Sequence, residues 1–69
     1  MKVGDLVRVT YEGAVNIDEV GINTGSKGII VEKVHHHENR KYEWLYSVVF
    51  FANNRRIPYL FDCEIEKFE

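Results

Sequence analysis

K-G-I-I-V-E-K-V, residues 27–34, is the stretch whose reading decides the fold. A glycine releases directly into three β-branched residues, Ile29, Ile30 and Val31, which lose little by being extended and much by being helical. A short apolar run after a glycine predicts a central strand with both sides covered.

Upstream, Gly4-Asp5 is a turn pair, and L-V-R-V-T follows with Val7 and Val9 alternating against Arg8 and Thr10. That alternation predicts a half-buried first strand. Residues 11–26 hold three glycines, two asparagines and the acids Glu12, Asp18 and Glu19, with Val15, Ile17, Val20 and Ile22 at no helical period. They read as one long, partly ordered loop that its four aliphatics pack down, and loops of this length are often functional or flexible.

Downstream, H-H-H-E-N-R-K at 35–41 is wholly polar and reads as a hairpin connection with Asn39-Arg40 at its tip. The longest strand candidate is Y-E-W-L-Y-S-V-V-F-F at 42–51, with Trp44, Tyr46, Val48 and Phe50 on one face and Leu45, Ser47, Val49 and Phe51 on the other. Both faces are apolar. One small barrel has one interior, so the outer set must be covered by the long loop, a terminus or another molecule. Ala52-Asn53-Asn54-Arg55 is a tight turn, because asparagine tolerates positive φ. R-I-P-Y-L-F at 56–61 gives a fourth strand with Ile57, Tyr59 and Phe61 on one face, and Pro58, which cannot donate to a ladder, places it at an edge or marks a bulge. A corner at 62–64 leads to a closing strand at 65–68.

The 69 residues are 45% hydrophobic and 29% charged, which fits a single domain over 1–69 with a thin core. Cys63 is the only cysteine and cannot close an intrachain disulfide. That points to the cytoplasm, or to a virus particle assembled there, and not to secretion. The N-terminus lacks a signal-type apolar run and no stretch approaches a membrane span, so the mature chain is expected as written, with no membrane insertion. A net charge of -2 gives no overall attraction to phosphate backbones.

Five short strands with a long first loop predict an all-β, small, bent antiparallel barrel. G-D-L-V-R-V at 4–9, G-S-K-G-I-I-V-E-K-V at 25–34, Y-S-V-V-F at 46–50 and F-D-C-E-I-E-K-F at 61–68 resemble the SH3-like barrel pattern. The photosystem I accessory subunit IV type, the KOW-type barrels and short proteins of tailed bacteriophages share this layout. The resemblance spans nearly the whole chain and rests on barrel-forming positions. It implies a non-enzymatic interaction module or accessory subunit docking on a larger assembly, such as a virion component or a complex-stabilising subunit.

In the peptide-binding SH3 domains a Trp opens the third strand, acids sit in the long first loop, and a Pro and a Tyr precede the last strand. Trp44, Asp18, Glu19, Pro58 and Tyr59 follow that order, although Y-E-G-A at 11–14 stands where those domains carry an A-L-Y-D-Y-type segment. The doubly apolar strand and the thin core predict a protein partner, or a second copy of the chain, on an aromatic-rich face made by these residues or by Leu45, Val49 and Phe51. Trp44, Leu45, Val49, Phe51 and Tyr59, with Asp18 and Glu19, are the expected contact residues.

The rival class is a nucleic-acid-binding barrel in the manner of the KOW type, using Arg40, Lys41, Arg55 and Arg56 with stacked aromatics. Eleven acids against nine bases weigh against it, and the basic residues also read as solvated turns. His35, His36 and His37 invite a metal reading, but no second ligand pair completes a tetrahedral set, so neither metal nor other cofactor is expected. Protonating all three near pH 6.5 would turn the net charge from -2 to +1, which couples solubility or assembly to mild acid. Catalysis has no local motif: Cys63 between Asp62 and Glu64 is disfavoured as a thiolate and reads as a small buried corner residue.

Overall fold

A computed structural model describes residues 1–35 and 44–68 of the chain. Its five strands are β1 (Leu6–Val9), β2 (Lys27–His35), β3 (Trp44–Phe50), β4 (Arg56–Phe61) and β5 (Ile65–Lys67), with one short helix, α1 (Tyr11–Asn16). All pairings are antiparallel, in the order β4-β3-β2-β1-β5. The fold is all-β, with β2 at its centre as the β-branched run requires. The sheet does not close into the expected barrel: among the described residues β4 and β5 remain its two edges.

One side of the sheet carries the core. Val7, Val9, Ile30, Val48, Phe50 and Ile65 are essentially inaccessible, and Tyr46 and Leu60 join them. Gly28 lets β3 approach closely, since a β-carbon there would press on the Val49 carbonyl and the Val48 side chain. The other side is less covered than the sequence predicts for β2. Val31 is 40% exposed and Ile29 half-buried, so the central strand has one dry face and not two.

Two register shifts explain why simple alternation fails. Between β2 and β3 the pairing steps from Ile30↔Val48 to Glu32↔Ser47, leaving Val31 as an extra residue. Between β3 and β4 it steps from Val48↔Ile57 to Tyr46↔Leu60, so Pro58 and Tyr59 together oppose Ser47. Each shift is a bulge, which bends the strand and resets which side the following residues face. On β2 the reset turns Glu32 outward, where its carboxylate accepts from the Ser47 hydroxyl (3.2 Å) and from Arg56 (3.2 Å). On β4 it corrects the expected grouping of Ile57, Tyr59 and Phe61: Ile57 and Leu60 pack on the core, while Tyr59 is 60% exposed. Pro58 satisfies both alternatives its chemistry allowed, since it lies on an edge strand and in a bulge.

Residues 11–26 are not one loop throughout. Thr10 caps α1, its hydroxyl oxygen accepting the Gly13 N–H (3.1 Å), and the same hydroxyl donates to the Cys63 carbonyl (2.7 Å). Of the four aliphatics, Ile17 and Ile22 pack into the core, whereas Val15 and Val20 stay 67% and 95% exposed. The turn at 52–55 forms as predicted, with Asn54 at φ 55°. The expected hairpin at 35–41 lies outside the described residues apart from His35, which ends β2.

Candidate partner-binding groove

The helix and the β4–β5 corner are bolted together, and the bolt builds one end of a groove. The Thr10 N–H donates to the Glu64 carbonyl (3.1 Å), and Gly13 packs so tightly on that carbonyl that a β-carbon would overlap it. Glu64 is itself buried at 6% exposure. Its backbone N–H donates to the Phe61 carbonyl (2.9 Å), and its side-chain Oε1 accepts the Phe61 N–H (2.8 Å). One residue thus satisfies both backbone groups of Phe61 at the edge of the sheet, where another strand would otherwise bond.

Above this corner, the end of α1 and the segment after it face β4 across a groove of about 450 Å³. Ile17, Asp18 and Glu19 form one wall; Pro58, Tyr59 and Leu60 form the other, with Glu64 also lining it. Tyr59 has φ 61°, the left-handed region that a tyrosine rarely occupies, and the bulge places it there. The wall formed by Asp18 and Glu19 is held from outside. Both carboxylate oxygens of Glu19 accept from Nη2 of Arg55 (3.0 and 2.9 Å), and the Asn53 side chain donates to the Val20 carbonyl (3.2 Å).

Asp18, Glu19, Pro58 and Tyr59, singled out in the sequence, therefore share one concavity. Trp44 does not join them. It packs against the core, its ring edge-on to His35 at 4.8 Å between centroids, with the Lys33 ammonium 4.3 Å above it. The order of residues shared with the peptide-binding SH3 domains therefore does not bring Trp44, which is engaged with His35 and Lys33, into the lining of this groove. Leu45 and Val49 are half-buried on the outer face of the sheet, paired with Phe61 and Arg56 on β4, and Phe51 is 57% exposed just past β3. None of the three lines the groove.

The cationic residues named for a nucleic-acid surface fare differently. Arg55 is engaged by Glu19 and Arg56 by Glu32, while Arg40 and Lys41 lie outside the described residues. His36 and His37 also lie outside them. A second concavity of about 440 Å³, lined by Thr10, Tyr11 and Thr24, has the Arg8–Glu66 ion pair (2.6 Å) as its charged part. Cys63, expected to be buried, is only partly so, and its backbone is what matters, as acceptor for Thr10. Burial, with the nearby Asp62 charge, pushes the Tyr46 phenol above its ordinary 10.0. Among the described residues no helix is long and apolar enough to cross a membrane.

Sequence reasoning missed Thr10, Gly13, Asn53 and Glu64. A threonine followed by an acid within one turn was the available sign for the helix start; nothing in D-C-E marked Glu64 as the residue that closes an edge. Compared with protein-family models, with curated proteins and with solved structures, the chain matches none.

Proposed function

We propose that this chain is a non-enzymatic interaction module that docks on a larger protein assembly through the groove between residues 16–19 and β4. The observation that carries the reading is Tyr59. A left-handed non-glycine residue costs on the order of 1 kcal/mol, and here the cost places an aromatic ring at 60% exposure on the wall of a groove instead of in the core. Backbone strain of this kind, held by a bulge and unrewarded by packing, is what a contact surface retains. The five-strand order, with a long connection between β1 and β2, fits an SH3-like layout, and an accessory subunit or a minor virion component suits a domain this small. Phe51, Leu45 and Val49 supply further apolar contact for the same assembly.

The nucleic-acid reading has less support, because Arg55 and Arg56 spend their charge on Glu19 and Glu32. Salt-dependent retention on single-stranded DNA or RNA would favour it. The docking reading is tested by Tyr59→Asn, which suits the left-handed backbone and removes the ring. A partner co-purifying with the wild-type chain should be lost with a folded variant. Equal recovery with both proteins would refute docking through the groove.

A further inference from the structure

We infer that residues 18–21 are a movable strap that sets the width of the groove and so gates it, latched by Arg55 and Asn53 of the β3–β4 turn. The strap hangs between two buried anchors, Ile17 at 9% and Ile22 at 4% exposure, while Val20 at its crest is 95% exposed and so adds no packing of its own. Gly21, at φ 88°, supplies the turn beyond the crest. Inside the strap the backbone is held by a long bond, Ile22 N–H to the Glu19 carbonyl at 3.3 Å. The position of the strap is set from across the gap: Arg55 grips the Glu19 carboxylate at 2.9 and 3.0 Å, and Asn53 donates to the Val20 carbonyl at 3.2 Å.

The two latch residues are tied to each other, because the Asn53 side-chain oxygen accepts the Arg55 N–H at 3.1 Å. Both latch contacts are exposed, and Arg55 and Glu19 are 58% and 33% accessible, so water and salt compete with them directly. Moving the strap displaces the wall that Asp18 and Glu19 form and changes the width of the groove that Ile17 and Leu60 line with them. The inference deepens the docking reading by giving its groove a gate, yet the gate is observable with no partner present, so either can fail alone.

The test is residue-resolved amide exchange on the full chain, wild type against Arg55→Gln. The variant should exchange about fivefold faster at Ile22, whose N–H is the strap's hydrogen-bonded amide, with Ile17 and Val48 unchanged. Equal rates at all three, or acceleration at Ile17 and Val48 to match, would overturn the gate. Should Arg55→Gln fail to fold, the wild type at low and high salt gives the same comparison: faster exchange at Ile22 but not at Ile17 and Val48 at high salt supports the strap, and salt-independent exchange refutes it.

Discussion

Gly13 in the helix and Glu64 in the β4–β5 corner are in contact through backbone alone, the glycine lying where any side chain would strike the Glu64 carbonyl. The contact explains a glycine in the first turn of a six-residue helix, a residue that otherwise weakens helices. It also explains how so short a helix holds its place: Thr10 donates to Cys63 and Glu64 at the same corner.

Gly13→Ala should therefore destabilise the chain by about 1–3 kcal/mol, despite alanine's better helix propensity, because the corner must retreat. Urea denaturation checks it. A stabilised variant would show that helix and corner separate freely.

Glu64→Ala leaves the Phe61 N–H without its acceptor and should cost about 1–2 kcal/mol, while Glu64→Gln keeps an oxygen in place and should cost less than half of that. Denaturation midpoints separate the two.

Tyr46 holds its proton more tightly in the folded chain than in the unfolded one, chiefly because it is buried and secondarily because Asp62 is near. Its contribution is complete below the unfolded value of 10.0 and is lost as pH climbs from there through the raised folded value. Stability measured from neutral pH upward should fall in that alkaline window, and Tyr46→Phe should flatten the fall. An unchanged slope in the variant would contradict it.

Tyr59→Asn should fold at least as stably as the wild type, gaining up to about 1 kcal/mol from a residue that accepts the left-handed region. Thermal unfolding is the measurement. A loss of several degrees would mean that the ring stabilises the fold, and the argument from unrewarded strain would fall.

The sequence made the strands legible wherever β-branching and alternation agreed. The stretch at 27–34 became β2, and R-I-P-Y-L-F became β4 over the same six residues. It hid what depends on tertiary contact. Y-E-G-A-V-N has a central glycine and no apolar period, so beyond the Thr10 cap and Glu12 little marks α1 until Glu64 is seen against Gly13. Tyr59 carries no local mark of positive φ, and reading strict alternation through Pro58 put it with Ile57 and Phe61. Of the candidate site, Asp18, Glu19 and Tyr59 were found by order along the chain and do meet. Trp44 was grouped with them by the same order, and the distance along β3 separates it.

Both ladder irregularities open opposite the middle of β3, on either side of Ser47, which is itself 1% exposed. The sheet thus has a crease running through one serine. Beyond the crease a strand shows water the parity it had hidden before it, so a single layer can wrap round its own contents without a second layer to close on. Among the described residues a chain that shelters its interior by creasing leaves β4 and β5 as its rims, and it is beside the first of these that the groove lies.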